Sequence, residues 1–386
     1  NSCIRVDLTS MGGEQVPVPV PRRHMHLPKT RGTYSTLTGA VLPCLELRWA
    51  CTPSAELVRP GGAVLSCGAW SDPLMKLFTG NANRKLAGDI ADCLGIPLGD
   101  ADVRRFSDGE CRITIKESVR GRDVFIVQPT CSPTNDHLVE LLIMLDACRR
   151  ASASRITCVI PYYGYGRQDR KCGPREPIAA KLIADMLVTA GASRILSVEL
   201  HADQIMGFFN IPVDQLSVGG LFADYARTHV FTNGGTDAVV VSPDVGGVAA
   251  ARQFADRLGT QLVIVAKRRK QANVSEAMEV IGDVEGKLCI FRDDMIDTGG
   301  SMVEGASALM KRGAGRVMAF GTHAVLSGHA SNRLAASSFE KVVVSDTIPV
   351  PAEKRFPQLD VLSVAPLLAS GIRCIHEGRS VSGLIR

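Results

Sequence analysis

The chain has 386 residues, 45% of them hydrophobic and 22% charged, with a formal net charge of +5. That length exceeds one small core and predicts two compact domains plus a tail in a globular protein. No apolar run approaches the length of a membrane span, and a charge this mild gives no argument for nucleic acid.

Residues 1–72 differ from the rest. They carry more Lys and Arg than Asp and Glu, are rich in Pro, Gly, Ser and Thr, and show little helical or strand periodicity. That composition predicts an organelle transit segment or a disordered extension, with a gene-model artefact as the bland alternative. The 12 cysteines are scattered, several inside apolar runs such as Cys158 and Cys289, with no CxxC pair. They read as reduced, buried thiols, neither a disulfide framework nor a zinc site.

From Leu74 onward, strand-like runs alternate with amphipathic stretches. Strands are predicted at 74–79, 123–128, 155–161, 195–200, 238–242, 262–266, 287–291, 317–322 and 341–345, with helices at 136–150, 177–190, 247–258 and 300–312. This alternation predicts an α/β fold of two similar doubly wound, mostly parallel sheets. A junction recurs at Ala153-Ser154-Arg155, Ala192-Ser193-Arg194 and Ala314-Gly315-Arg316, which hints at duplicated units. The expected partition is 73–217, 218–375 and a tail at 376–386, with a hinge between Pro212 and Gly220.

Ligands bind beyond the carboxyl ends of strands in such sheets. Here those ends are polar: Glu199-Leu200-His201, Ser242-Pro243-Asp244, Val265-Ala266-Lys267 and Phe291-Arg292-Asp293. The most informative stretch is 287–301, KLCIFRDDMIDTGGS. An apolar run delivers Asp293 and Asp294, and Asp297-Thr298-Gly299-Gly300-Ser301 follows at a helix start. Paired carboxylates can accept hydrogen bonds from ribose hydroxyls, and the loop's N–H groups and hydroxyls can hold a phosphate.

Four other motifs stand near this one in the argument. Phe106-Ser107-Asp108-Gly109-Glu110 offers an aromatic face beside two carboxylates for a purine nucleoside; an ordinary polar turn is the bland alternative. Tyr162 to Lys171 suggests a mobile loop that closes over phosphates, or else a solvated basic loop. His201 has no second His at ligand spacing, but paired with Asp244 it would suit Mg²⁺. Lys267-Arg268-Arg269-Lys270 follows a buried strand, which argues that Lys267 and Arg269 point into the site and not to solvent. No Walker loop or GxGxxG fingerprint is present.

These motifs, in this order, resemble the class I ribose-phosphate diphosphokinases, also called phosphoribosyl-pyrophosphate synthases. The likeness covers about residues 74–385 and rests on FSDGE (106–110), the stretch 119–171, ELHADQIMGFFNIPVD (199–214), VVSPDVGG (240–247), KRRK (267–270), DDMIDTGGS (293–301) and GRSVSGLI (378–385). It implies a phosphoribosyltransferase-type fold and transfer of the diphosphoryl group of ATP to ribose 5-phosphate. Phe106, Asp108, Gly109 and Glu110 would hold the adenine nucleoside from a neighbouring subunit, and Arg167 and Gln168 would contact ATP. His201 and Asp244 would form the Mg²⁺ site, and Lys267 and Arg269 would be the catalytic cations. Asp293, Asp294, Asp297, Thr298, Gly299, Gly300 and Ser301 would bind ribose 5-phosphate.

The resemblance further implies an allosteric site for inorganic phosphate or ADP at Arg120, Ser152, Arg175, Ser380 and Ser382, and a homo-oligomer, usually a hexamer. Three positions depart from the pattern: Arg292 where an apolar residue is usual, Glu199 for Asp and Asn210 for Asp. A plastid or other organelle is expected if residues 1–72 are a transit segment, and the cytoplasm otherwise. The rival readings are a base-specific phosphoribosyltransferase, a non-catalytic regulatory subunit of the same fold, and a basic nucleic-acid-binding module.

Overall fold

A computed structural model describes residues 74–231, 237–268 and 277–385 of the chain. The expectations for residues 1–72 and Arg269 lie outside the described residues.

The first sheet is built from β1 (Met75–Thr79), β4 (Asp123–Val127), β5 (Arg155–Ile160), β6 (Arg194–Val198) and β7 (Val213–Leu216), in that order and all parallel. A separate antiparallel hairpin, β2 (Ala101–Arg105) with β3 (Cys111–Ile115), leaves it between β1 and β4. The connections are α1 (Arg84–Leu94), α2 (Thr134–Arg150) and α3 (Ala179–Ala190). The Asn83 side chain caps α1 at its start, accepting from the Leu86 N–H at 3.2 Å.

The second sheet contains β8 (Ala238–Ser242), β9 (Gln261–Arg268), β10 (Ala277–Ile281), β11 (Leu288–Ile296), β12 (Arg316–Ala324), β13 (Lys341–Ser345) and β14 (Leu359–Leu362). Its order is β10-β9-β8-β11-β12-β13-β14, parallel except for the β9/β10 pair. Around it lie α4 (Gly219–Tyr225), α5 (Val248–Leu258), α6 (Gly300–Lys311) and α7 (Ala330–Ala335), followed by α8 (Ala365–His376) and the short α9 (Ser382–Ile385).

Strands buried on both faces explain the continuous apolar runs. Leu77 faces one cluster with α1 and α8, while its neighbour Phe78 faces another with α2 and α3. Leu288 and Ile290 of β11 likewise face one way, and Cys289 and Phe291 the other. One cluster joins the two sheets: Phe125 and Leu196 of the first share it with Val240, Ile290 and Phe320 of the second.

Three findings differ from the sequence reading. The segment expected as a hinge carries β7, paired with β6 through Ile195 and Val213. β9 runs on through Lys267 because β10 pairs with it, Lys267 opposite Met278. Helix α8, placed by sequence with the second half, closes over the first sheet. There Arg155 Nη2 donates to the Ile375 carbonyl at 3.1 Å, and His376 Nδ1 meets Asp123 at 2.7 Å.

Candidate active site

Strand β11 carries the chemistry beyond the point where β8 stops pairing with it. β8 matches β11 from Leu288 to Phe291, whereas β12 stays with β11 to Ile296. Asp293 and Asp294 therefore lie within a strand that has lost one neighbour, at the rim where β8 ends and Asp244 follows. The Asp244 carboxylate accepts from the Gly247 N–H at 2.7 Å, which fixes the turn into α5.

The carboxylates differ in state because their surroundings differ. Burial, then the charges of Asp294 and Asp244, push the Asp293 carboxyl well above its ordinary range. Burial also acts on Asp294, but His201 outweighs it: Nδ1 lies 2.7 Å from Asp294 Oδ2, and the net shift of Asp294 is downward. The same bond, opposed by burial, raises the His201 imidazole, which the Asp169 carboxylate also favours. One carboxyl of the pair is thus held as an anion and the other resists ionisation until something positive arrives.

The loop from Asp297 to Ser301 closes the strand. Asp297 accepts from Arg167 Nη1 at 2.5 Å and from the Ser327 hydroxyl. Gly299 adopts φ +70°, a left-handed conformation that suits glycine, and an added Cβ would press on Leu334 at 3.3 Å. No side chain caps α6, so the first N–H groups of the helix, at Gly300 and Ser301, stay available to an anion. Thr298 is held by its carbonyl, which accepts from Arg333.

Arg167 reaches this rim from the first sheet through Asp297, with Gln168 next to it in the chain. They line a cavity of about 580 Å³ with Tyr162, Tyr165, Asn135 and Asp136. The front of that loop is anchored. Tyr162 and Tyr163 are buried, and the Tyr163 hydroxyl donates to the Ala180 carbonyl at 2.9 Å. Gly164 is needed for closeness: an added Cβ would lie 2.2 Å from the Thr130 carbonyl oxygen.

The structure thus gathers His201, Asp293, Asp294, Asp244, Asp297 and Arg167 about one rim through the contacts and charges above. Lys267 is placed on β9, beside β8, by its backbone alone. Phe106 to Glu110 forms the tip of the β2/β3 hairpin. Phe106 is half exposed, with the Arg112 guanidinium 5.7 Å from its ring centroid, and the Glu110 N–H donates to Asp108. No contact among the described residues joins that tip to the carboxylates.

Arg120 and Ser152 lie together, since the Gly121 N–H donates to the Ser152 carbonyl at 2.8 Å. Ser380 and Ser382 bond each other at 3.0 Å in the tail. No described contact ties Arg175 to either pair.

Among the described residues no three His, Cys, Asp or Glu side chains are placed to cage a metal. Mg²⁺ needs no such cage, because it takes one or two protein ligands and completes its shell with water and phosphate oxygens. The negative charge that Asp294 and Asp244 place on Asp293 is one that a divalent cation would relieve.

A network around Glu199 was not foreseen. Arg292, 3% exposed, pairs with Glu199. The two departures from the family pattern at these positions are one contact. The only hint in the sequence is a charged residue inside an apolar run.

Comparison with known proteins places the chain. The family described as "N-terminal domain of ribose phosphate pyrophosphokinase" matches residues 75–191, and the "Phosphoribosyl synthetase-associated domain" matches 269–386. A ribose-phosphate pyrophosphokinase of Wolinella succinogenes is 55% identical over 80% of this chain and 98% of its own length. That of Synechococcus elongatus is 53% identical over 81% of this chain and 94% of its own. The chain belongs to the ribose-phosphate pyrophosphokinase family. A crystal structure of phosphoribosylpyrophosphate synthetase from Mycobacterium smegmatis superposes with a TM-score of 0.75 at 46% identity, covering 79% of this chain and 99% of that one. The α/β architecture is therefore shared with a solved phosphoribosylpyrophosphate synthetase over 79% of this chain. Among the described residues no helix is long and apolar enough to cross a membrane.

Proposed function

We propose that the chain makes phosphoribosyl pyrophosphate by Mg²⁺-dependent transfer of the β,γ-diphosphoryl group of ATP to the anomeric hydroxyl of ribose 5-phosphate, releasing AMP. The activity class comes with the family. The observation that carries the substrate pair is the Arg167–Asp297 contact at 2.5 Å. It brings a cation of the first-sheet loop, suited to ATP, onto the second-sheet loop that is suited to a sugar phosphate.

Joining two polyanions is mainly a problem of positioning and charge. The N–H groups of Gly300 and Ser301, with the Thr298 and Ser301 hydroxyls, receive the 5-phosphate. Asp293 and Asp294 accept from the ribose hydroxyls and orient the ring. Arg167 and Gln168 hold the nucleotide phosphates, and Phe106, Asp108, Gly109 and Glu110 of a neighbouring copy hold the adenosine. Lys267 and Arg269 oppose charge on the transferring group. Mg²⁺ would be held by His201 and Asp244 and would supply further positive charge at the phosphates. Inorganic phosphate and ADP act at Arg120, Ser152, Arg175, Ser380 and Ser382 in a homo-oligomer, a hexamer in this reading.

A coupled assay for AMP from ATP, ribose 5-phosphate and Mg²⁺, with and without inorganic phosphate, tests the reading. AMP formation that needs all three components is expected. ATP turnover independent of ribose 5-phosphate, or none at all, rejects it.

A further inference from the structure

The Glu199–Arg292 pair lies where the ends of β6 and β7 meet the middle of β11 and the later part of β12. Arg292 Nη2 donates to Glu199 Oε2 and, at 3.0 Å, to Thr322 Oγ1 of β12. Its Nη1 donates to the Asp293 carbonyl of β11, and its guanidinium carbon sits 5.2 Å from the Phe222 ring centroid. The second carboxylate oxygen of Glu199 accepts from the Val218 N–H at 3.1 Å and the Ser217 hydroxyl at 3.2 Å, both just past β7. The Thr322 hydroxyl donates to Oε2 as well. The Glu199 carbonyl meets His323 Nε2 at 2.9 Å, and the other ring nitrogen meets Thr347 Oγ1 at 2.9 Å.

A buried ion pair gives little net stability unless every lone pair and proton is used, and here the carboxylate receives four donors. Its location says what it is for. Glu199 stands two residues before His201, and Arg292 stands one residue before Asp293. The pair therefore bridges the same two strands as the His201–Asp294 contact at 2.7 Å, immediately behind it. Glu199 also holds φ +34°, a conformation that a residue with a side chain adopts only when its surroundings enforce it. The enforced residue sits between the end of β6 and His201.

We propose that Glu199 and Arg292 are positioning residues for the transfer reaction. They set the distance and register between the end of β6 and β11, and so hold His201 against the Asp293–Asp294 pair without touching either substrate. This rests on the synthase reading above. The guanidinium fork matters as well as the charge, because it reaches Glu199, Thr322 and the Asp293 carbonyl at once, and an ammonium cannot reproduce that plane.

The test compares the wild-type chain with Arg292→Lys and with the double variant Glu199→Gln/Arg292→Met, a neutral pair of similar volume that suits a buried site. Wild-type AMP formation is measured alongside; if it is absent, the synthase reading has failed and not this inference. With an active wild type, the double variant is expected to fold and melt near the wild type. Its kcat should fall at least about tenfold while KM for ATP and for ribose 5-phosphate moves less than about threefold. Arg292→Lys should lower kcat severalfold, with the same small change in KM. Wild-type kcat in a folded double variant overturns the proposal. So does loss of folding in both variants, which would make the pair a stability element alone.

Discussion

At the scale of single residues, the rim works because burial and charge are set against each other differently at neighbouring groups. Asp294 is held as an anion by His201, while Asp293 is pushed towards its protonated form by burial and like charge. Lys267, at the end of β9, opposes charge on the transferring group in the proposed reaction. Lys267→Ala should therefore lower kcat by a factor on the order of 10² with a modest change in ATP affinity. Unchanged turnover would remove it from the mechanism. Away from the rim, Asp346 is a second carboxyl raised by burial, although it accepts from the Val364 N–H at 2.8 Å. The folded chain then keeps a proton that the unfolded chain has already released. Stability falls as pH rises from the ordinary carboxylate range through the folded value, and stays lower above it. Asp346→Asn keeps an acceptor for Val364 and removes the penalty. Its Tm should exceed that of the wild type by about a few degrees at pH 8, with the gap closing as pH falls into the ordinary carboxylate range, about pH 4. A gap equal at both pH values, measured by scanning calorimetry, would contradict this.

At the scale of elements, the turn into α6 is where backbone geometry bears on the proposed binding of ribose 5-phosphate. Gly299 takes φ +70°, and an added methyl meets Leu334 at 3.3 Å. Placing a side chain in the left-handed region costs about 1–2 kcal/mol, and here the strain falls on the loop that presents the N–H groups of Gly300 and Ser301. Gly299→Ala should raise KM for ribose 5-phosphate about fivefold or more, a loss on the order of 1 kcal/mol of binding, while KM for ATP changes little. Equal increases in both, or a lower Tm with both KM values intact, would tie the glycine to folding alone.

Much of this element scale was legible. The three Ala-Ser/Gly-Arg junctions are the passages from α2 to β5, α3 to β6 and α6 to β12. The central strands read clearly because both faces are buried. The β2/β3 hairpin did not, because its strands are only half-buried, mix polar and charged residues with apolar ones, and form no apolar run. β7 is only 4 residues long, and β10 and β14 are edge strands, so each carries too weak a pattern to find. The Glu199–Arg292 contact was out of reach for another reason: its partners are 93 residues apart, and only the fold says that the end of β6 meets the middle of β11.

At the scale of the whole molecule, sequence alternation suggests two units, yet the core is continuous between them. Phe125, Leu196 and Leu216 of the first sheet share one apolar cluster with Phe222, Phe254 and Phe320 on the second-sheet side, and with Leu368 and Ile372 of α8. Helix α8 follows the last strand of the second sheet but packs its Gly371 on Leu196 and Leu216 of the first. Arg155 and His376 fasten it to Asp123. Neither sheet can lose its partner without exposing large side chains, each worth about 1.5–3 kcal/mol of burial. The chain from 74 onward should therefore unfold as one cooperative unit. Calorimetry should give a single transition with a van't Hoff enthalpy per chain close to the calorimetric one. A chain ending at residue 364 should be insoluble, because it strips the shared cluster of α8. Two resolved transitions, or a soluble and folded truncation, would show that the sheets stand independently and that the clamp on Asp123 holds only the tail.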